Sequence, residues 1–396
     1  MQKDKASSFL LQIKKEEKMN FLKKKFTEYY SKADIEFPPR FDRREYAFIF
    51  FGEGGMHRHI SFLSRDALIS YLKKNSPAHS YYSSAYYRHP DAATMREKEW
   101  MGADLIFDLD ADHIPDAIKL PYEKMLVMVK KEMEKLLSFL MDDFGFDKKD
   151  MRIYFSGGRG YHCHVSHPDV ISLGSQERRE IVDYVTARGL NIKGIVKEKS
   201  IPKEYFADKT IEIDPRKGGW SGRMARGIID FLKEIKNMEK EKAIKKLMEL
   251  EGIGEKTASS LYASLSDERI KRIEDGKIDQ SREFKRIAIP LIKKLSVSLH
   301  SSADEPVTGD IKRLIRLPGS LHGKTGLRVT KVEINELQEF NPLRDAVVFG
   351  EEKVRVMIKK PFSIEMMENR FRVNEGVNEV PEYLAVFLMA RGLATI

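Results

Sequence analysis

The chain has 396 residues, 41% of them hydrophobic, which is enough for one large domain or two smaller ones with a sizeable core. Lys and Arg outnumber Asp and Glu by 70 to 61, a moderate excess that favours polyanionic partners. The single cysteine, Cys163, excludes an internal disulfide. The charged N-terminal stretch argues against a signal peptide, and no apolar run approaches the roughly 20 residues of a membrane span. We therefore expect a soluble, cytoplasmic protein with no membrane partner.

Helical and strand patterns alternate along the chain. In chain order they predict a Lys-rich helix at 8–32, a hairpin at 45–51 and 58–62, a helix at 67–74, an extended or loop segment at 81–87, a strand at 103–113, a helix at 119–142, a second hairpin at 152–155 and 161–165, and a helix at 176–188. Strand-like sequence returns at 327–334 and 353–358.

A change of composition divides the chain. Residues 228–298 are rich in Lys and Glu and poor in strand signals, which predicts an inserted helical subdomain. The alternating elements on either side predict an α/β catalytic core whose first part is 1–227 and whose second part is 299–396. The fold class is therefore α/β with an all-α insertion.

Two aspartates stand on one face of the strand predicted at 103–113. Asp108 and Asp110 alternate with Phe107 and Leu109, because strand side chains point to opposite faces in turn. Two carboxylates on one face repel each other unless a cation lies between them, and late in an apolar strand they are costly to ionise. Hard oxygen ligands at this spacing suit Mg²⁺ or Mn²⁺. An isolated Asp-x-Asp is also common as a turn element.

A second motif joins the strands of the later hairpin. It reads Ser-Gly-Gly-Arg-Gly-Tyr-His over residues 156–162. Its glycines let the backbone approach a ligand closely, and Ser156, Arg159 and His162 can each donate to phosphate oxygens. An ordinary glycine-rich hairpin with a surface arginine is the alternative.

A third motif concentrates positive charge. Arg313, Arg316, His322 and Lys324 fall within twelve residues, and Asp304 precedes them. A basic turn beside a carboxylate is the combination that a metal–triphosphate site requires. A solvated basic loop is the alternative.

In this order and spacing, the three motifs resemble the catalytic (small) subunit of archaeal and eukaryotic DNA primases, and are most like the archaeal form. The resemblance covers most of 20–225 and 300–335 and includes the run at 100–113. It implies the primase-type core of two small sheets flanked by helices. It also implies a nucleotidyltransferase that makes short primers on single-stranded DNA from NTPs or dNTPs by a two-metal mechanism, with a primase large subunit as partner.

The resemblance also assigns roles to individual residues. Asp108, Asp110 and Asp304 match the catalytic aspartates that hold two divalent ions, Mg²⁺ or Mn²⁺. Asp304 is chosen over other acidic residues on the resemblance alone. The residues that match nucleotide-binding positions are Ser156, Arg159, His162, Arg316, His322, Glu45 and Arg58; the match of Arg58 needs a one-residue length change in its hairpin.

The sequence departs from the family pattern at two points. Relatives often carry a Cys/His zinc knob between the second aspartate and the glycine-rich turn, but this interval contains His113 and no cysteine. Structural zinc is therefore not expected. Gly158 also stands where eukaryotic relatives have a second arginine.

Several alternatives stay open. A repair-type primase-polymerase that extends DNA ends, or a non-catalytic nucleic-acid-binding subunit, would carry similar motifs. Residues 250–258 look like the turn of a helix-hairpin-helix element, whose glycines expose N–H groups to a DNA phosphate, or are a plain connector. Tyr81, Tyr82, Tyr86 and Tyr87 would either stack on bases or pack beneath the site.

Overall fold

The computed structural model describes residues 2–191, 198–202, 207–211, 214–277 and 279–396. These residues form two compact units. The first unit contains the chain up to residue 134 together with residues 147–182 and 302–396, and the second contains residues 135–146 and 183–301. Every residue with a predicted role in catalysis or nucleotide binding lies in the first unit.

Helices and strands alternate, which confirms the predicted α/β fold class. The helices in chain order are α1 (Gln2–Lys32), α2 (Arg65–Asn75), α3 (Met95–Lys98), α4 (Tyr122–Asp142), α5 (Pro168–Ile171), α6 (Ser175–Val185), α7 (Gly219–Asn237), α8 (Lys240–Met248), α9 (Glu255–Ser264), α10 (Asp267–Glu274), α11 (Arg282–Leu299), α12 (Glu305–Gly309), α13 (Pro342–Asp345) and α14 (Glu382–Ala390). The strands are β1 (Tyr46–Ile49), β2 (His57–Ile60), β3 (His79–Ser83), β4 (Ala85–Tyr87), β5 (Trp100–Ala103), β6 (Leu105–Asp110), β7 (Met151–Phe155), β8 (Gly160–Val165), β9 (Glu198–Pro202), β10 (Ala207–Ile211), β11 (Leu314–Arg316), β12 (Thr330–Val332), β13 (Lys353–Ile358), β14 (Phe362–Met366), β15 (Asn369–Val373), β16 (Gly376–Pro381) and β17 (Ala394–Thr395).

Two antiparallel sheets of four strands position the predicted motifs. One sheet has the strand order β11-β3-β1-β2, and the other has the order β12-β7-β8-β6. The third motif supplies β11 to the first sheet, and the first two motifs supply β6 and the β7–β8 turn to the second. These sheets and their flanking helices are the predicted core of two small sheets.

The register of β6 fixes the two aspartates of the first motif. Its apolar residues Leu105, Phe107 and Leu109 are buried, as expected for a strand that packs on a core. Strand β6 pairs with β8 so that Asp108 lies opposite His162 and Asp110 lies opposite Gly160. The pairing therefore places the end of the first motif beside the glycine-rich turn.

A buried ion pair anchors the residue immediately before β6. Asp104 accepts hydrogen bonds from Arg44 Nη2 at 2.6 Å, from the Tyr86 hydroxyl at 2.5 Å and from the Ser166 hydroxyl at 2.7 Å. Burial alone would raise the pKa of Asp104, but Arg44, Tyr86 and Ser166 outweigh it and hold the pKa below its usual value. Arg44 also donates to the carbonyl oxygens of Ser83 at 2.7 Å and Ser84 at 2.9 Å, next to β3. The network thus joins the two sheets.

The second unit is largely helical. The described residues of 228–298 that lie in regular structure belong to α7–α11, and the hairpin of β9 and β10 lies in the same unit. Leu232, Leu261 and Leu291 are among its buried residues. Helix α7 begins at Gly219, before the predicted limit at 228. The insertion limits at 228 and 298 stay a prediction.

The turn between α8 and α9 contains the glycines singled out in the sequence. Gly252 has a φ of +76°, in the left-handed region that favours glycine. A Cβ atom at Gly252 or Gly254 would meet nothing within 4 Å, and α9 starts without a side-chain cap. Both interpretations of this turn stay open.

None of the described helices combines the length and the apolar character that crossing a membrane requires.

The Arg44–Asp104 pair generates a prediction about stability. Arg44→Met keeps a long apolar stem but leaves the Asp104 carboxylate buried without its cation. We expect a loss of about 3–5 kcal/mol in the free energy of unfolding, measured by urea denaturation. Arg43→Met is the matched control, because the neighbouring arginine side chain is 47% exposed. Equal effects of the two substitutions would contradict the account.

Candidate active site

A cavity of about 740 Å³ in the first unit brings the three motifs together. Its walls come from β3, β6, the β7–β8 turn, β11, the loop that follows β11, and the end of α14. The lining residues are Tyr81, Asp108, Asp110, Ser156, Gly158, Arg159, His162, Arg313, Leu314, Ile315, Arg316, His322, Lys324, Thr325, Ala390, Arg391 and Gly392. Segments more than 200 residues apart in sequence therefore build one site.

One wall of the cavity carries the carboxylates of Asp108 and Asp110, and we call it the acidic wall. The side chains of Asp108 and Asp110 are 21% and 29% exposed. Asp304 does not line the cavity, but its backbone N–H donates to the Asp108 carbonyl oxygen at 2.9 Å, so it lies beside β6. Burial raises the pKa of Asp108 to about 7, and repulsion from Asp110 and Asp304 adds to the effect. The strand therefore holds Asp108 where its charge is unfavourable without a cation.

The three aspartates suit hard divalent cations in their chemistry. Mg²⁺ typically takes one or two carboxylates and completes its coordination with water and substrate phosphates. Across the described ranges, no three His, Cys, Asp or Glu side chains are already arranged to hold a metal ion. Asp108 and Asp110 nevertheless share a cavity with arginine and histidine side chains that can donate to phosphate, and a divalent cation would offset the unfavourable charge of Asp108. The residues fit such an ion as partial ligands.

Cys163 lies in the core of β8. Its side chain is fully buried, and burial raises the pKa of the thiol to about 12. A thiol with this pKa stays protonated near neutral pH, whereas a zinc ligand is a thiolate. The absence of structural zinc stays a prediction.

The glycine-rich turn is fixed from several sides. The Ser156 hydroxyl accepts hydrogen bonds from the N–H groups of Gly158 and Gly160, both at 3.3 Å. The Tyr122 hydroxyl donates to the Gly158 carbonyl oxygen. At Gly160 a Cβ atom would lie 2.4 Å from the Leu109 carbonyl oxygen, so no larger residue fits there. The turn is therefore held close against β6.

Arg159 projects from this turn toward the carboxylates. Its guanidinium Nη2 lies 3.3 Å from Asp110 Oδ1 and also pairs with Asp112. Its side chain is 36% exposed. Arg159 therefore reaches the acidic wall and solvent at once, which suits a residue that changes partners when an anion binds.

The histidines of the site are neutral. Burial lowers the pKa of His162 to about 3, and Arg316 and Arg313 add to the effect. His162 Nε2 lies 3.5 Å from Asp108 Oδ1, and burial also lowers the pKa of His322 well below its usual value. A neutral imidazole carries one N–H, so each ring can donate one hydrogen bond to an anion.

Arg316 is held by a residue that the sequence analysis missed. Arg316 Nη1 donates to His79 Nδ1 at 2.5 Å, and the Gly323 N–H donates to the same nitrogen at 3.2 Å. Burial lowers the pKa of His79 to about 3, so the ring stays an acceptor. The Arg316 Cζ atom lies 4.5 Å from the centre of the Tyr81 ring. His79 and Tyr81 stand two residues apart on β3, so strand alternation places them on one face, but nothing local in the sequence links that face to Arg316.

Two predicted nucleotide-binding residues lie outside the cavity lining. Glu45 and Arg58 pair with each other, with Arg58 Nε 3.1 Å from Glu45 Oε1. The Glu45 carboxylate is buried and also pairs with Lys98 Nζ at 2.5 Å. The Arg58 side chain is 42% exposed. Their role in nucleotide binding stays a prediction.

The four tyrosines singled out between residues 81 and 87 differ in their surroundings. Tyr82, Tyr86 and Tyr87 are buried, with at most 2% exposure, whereas Tyr81 lines the cavity. In the sequence, Arg313 and Lys324 stand out only as part of a charged run, and Thr325 and Arg391 have no predicted role. These residues come from separate segments, so only the fold brings them to the same walls.

Comparison with known proteins gives consistent results. The family profile for the DNA primase small subunit matches residues 107–334. The DNA primase small subunit PriS of Methanococcoides burtonii is 47% identical over 382 residues, covering 94% of this chain and 97% of the relative. The proteins of the same name from Methanothrix thermoacetophila and Methanosarcina acetivorans are 44% and 45% identical, covering 95% and 94% of this chain and 98% and 95% of the relatives.

The raised pKa of Asp108 generates a prediction about pH. Since this carboxyl titrates near 7 in the fold and near 3.8 when exposed, its effect on stability becomes more unfavourable as pH rises between these values and is complete above 7. Asp108→Asn in chelator should raise the free energy of unfolding by about 1–3 kcal/mol at pH 8, and the gain should disappear near pH 4. Added Mg²⁺ should stabilise the unsubstituted protein more than the variant.

The control is Asp116→Asn, which removes an aspartate whose side chain is 74% exposed. It should change stability little at either pH. A gain for Asp108→Asn that is the same at pH 4 and pH 8 would show that charge repulsion is not the cause.

Proposed function

This chain belongs to the DNA primase small-subunit family, and we propose that its cavity joins nucleotides into short primers on single-stranded DNA. Family membership makes the chain a DNA-directed primase, a nucleotidyltransferase of DNA replication. The proposal adds that the chain carries the catalytic centre. It names Asp108, Asp110 and Asp304 as catalytic residues.

One observation carries this proposal. Asp108 and Asp110 share a single cavity with Arg159, Arg316 and His322. Phosphoryl transfer needs carboxylates that hold cations and, facing them, donors that hold a triphosphate. A purely DNA-binding surface would need the basic residues but not a partly buried carboxylate such as Asp108, whose negative charge is unfavourable.

The acidic wall would hold the divalent ions. Asp108, Asp110 and Asp304 are the proposed ligands, in a two-metal mechanism. When bound, two Mg²⁺ or Mn²⁺ ions make the primer 3′-hydroxyl more acidic and offset the charge of the triphosphate. Asp108, with a pKa of about 7, would give up its remaining proton as a cation binds.

The basic wall of the cavity, which carries Arg159, His162, Arg316 and His322, would bind and orient the triphosphate. Arg159 and Arg316 can each offer two parallel N–H groups to phosphate oxygens, and His162 and His322 can each offer one. The Ser156 hydroxyl stabilises the turn that carries Arg159, because it accepts hydrogen bonds from two N–H groups of that turn. Because His79 and Tyr81 already fix Arg316, its donors are held in place before the charge of the transition state develops.

The proposed substrates and partners follow from this assignment. Single-stranded DNA is the template, and NTPs or dNTPs are the substrates. As a small subunit, the chain would act with a primase large subunit. The proposed location is the cytoplasm.

The first experiment tests the acidic wall. Asp108→Asn, Asp110→Asn and Asp304→Asn should each abolish incorporation of labelled nucleotides, because each removes a negative charge needed to hold the cation. Asp116→Asn, an exposed aspartate of the same segment, should retain full synthesis. Near-normal incorporation by a folded Asp304→Asn protein would show that the third ligand lies elsewhere.

The second experiment tests the basic wall. Arg159→Ala or His162→Ala should raise the nucleotide KM by about ten- to a hundredfold, because a charge-assisted phosphate contact is worth roughly 1.5–3 kcal/mol. Template affinity, measured by fluorescence anisotropy, should change little. Arg96→Ala removes an exposed arginine and serves as control. Weaker template binding with an unchanged KM would assign the turn to the DNA path instead.

A further inference from the structure

We propose that Arg391, which follows helix α14, is a further phosphate-binding residue and contacts the nucleotide triphosphate. This inference rests on the proposed function, because it names an additional ligand contact in the same cavity. Arg391 lies outside residues 107–334, which the family profile matches, and none of the three sequence motifs includes it. The assignment therefore comes from the structure.

The position of Arg391 is the first support. It caps the C-terminal end of α14, where its backbone N–H donates to the carbonyl oxygens of Phe387 and Met389. Together with Ala390 and Gly392 it forms part of the wall of the cavity that holds Asp108 and Asp110. The fold thus brings an arginine from a distant segment to the site.

The orientation of its side chain is the second support. The Arg391 Cζ atom lies 4.7 Å from the centre of the Tyr122 ring and 5.4 Å from the centre of the Phe387 ring. Stacking on rings uses the faces of the guanidinium and leaves its N–H edges able to donate. The rings therefore hold the cation in place without occupying its hydrogen-bond donors.

The lack of a carboxylate partner is the third support. Among the residues that the structure describes, no acidic side chain forms an ion pair with Arg391, whereas Arg159 pairs with Asp110 and Asp112. An exposed arginine at the wall of a cavity, whose five N–H donors have no acidic partner among the described residues, is suited to an anionic ligand. A cation at a helix C-terminus also stabilises the helix, and that simpler role is the alternative to test.

The neighbours of Arg391 favour the triphosphate over a DNA phosphate. Tyr122, on which Arg391 stacks, donates its hydroxyl proton to the carbonyl oxygen of Gly158 in the glycine-rich turn. The positive charges of Arg391 and of Arg159, the residue after Gly158, both act to lower the pKa of the Tyr122 hydroxyl. Arg391 and Arg159 therefore both lie near Tyr122. A ligand with several linked phosphates can reach both cations, whereas a backbone phosphate carries one charge.

The test is the substitution Arg391→Met, which keeps an unbranched stem over the two rings and removes the charge. Nucleotide binding is measured directly, by titrating a fluorescent ribonucleoside triphosphate and the matching monophosphate into the full chain with Mg²⁺. Triphosphate affinity should fall about tenfold, monophosphate affinity should stay within about twofold, and the nucleotide KM should rise with the triphosphate dissociation constant. Arg372→Met, which removes an exposed arginine of β15, is the matched control and should change neither affinity.

Thermal unfolding and template binding complete the test. A lower melting temperature with unchanged triphosphate affinity would reduce Arg391 to a helix cap and overturn the proposal. Weaker binding of a labelled single strand with unchanged triphosphate affinity would assign Arg391 to DNA, and it would also overturn the proposal. If Arg391→Met does not fold, Arg391→Lys keeps the charge but loses the planar fork, and a several-fold loss of triphosphate affinity is expected. Unchanged affinity of the lysine variant would then be the contradicting result.

The same data separate this inference from the proposed function. If the unsubstituted chain binds no triphosphate and makes no product, the proposed function fails. If the unsubstituted chain binds and polymerises nucleotides and Arg391→Met does so equally well, only the inference about Arg391 fails.

Discussion

The buried ion pair between Arg44 and Asp104 is the constraint on which the geometry of the site depends. Asp104 immediately precedes β6, and its partner Arg44 also donates to two carbonyl oxygens at the end of β3. Arg178 adds hydrogen bonds to the carbonyl oxygens of Ala103 at 2.8 Å and Asp104 at 2.7 Å. Since a strand that slips by one residue turns every side chain to the opposite face, fixing the residue immediately before β6 fixes the direction of Asp108.

The cavity has an acidic wall and, facing other parts of the lining, a wall rich in arginine and histidine. One wall carries Asp108 and Asp110, and the fold makes the ionisation of Asp108 unfavourable, as its raised pKa shows. The other wall carries arginines and two buried histidines that stay neutral, because burial and the neighbouring guanidinium groups disfavour a further positive charge. A divalent cation would offset the negative charge of Asp108, and a triphosphate would give the arginines an anionic partner.

Much of the fold and part of the site could be predicted from the sequence. The apolar alternation of Leu105, Phe107 and Leu109 correctly predicted a strand with Asp108 and Asp110 on one face, and the glycines at 157, 158 and 160 correctly predicted a turn between strands. These features are local, so periodicity and backbone preference are sufficient to predict them.

Other residues of the site could not be predicted, because their positions depend on long-range packing. Asp304 lies beside β6 through a backbone hydrogen bond to Asp108, a contact that spans 196 positions and has no local signature. His79 meets Arg316 only because β3 pairs with β11. The predicted link of Glu45 and Arg58 to the nucleotide came from family resemblance alone, and in the structure these residues bind each other outside the cavity lining. Pattern analysis therefore located the strands and turns, and the sheet pairing decided which side chains meet.

The central claim is that this chain carries a template-directed catalytic centre that can begin a chain. The most direct measurement is incorporation of labelled NTPs and dNTPs on an unprimed homopolymer single strand, with Mg²⁺, with Mn²⁺ and with chelator. The account predicts short products that appear only with the complementary nucleotide and a divalent ion. Products that appear only when a preformed primer is supplied would indicate a repair-type polymerase, and no product under any condition, from protein that binds the strand, would indicate a non-catalytic subunit.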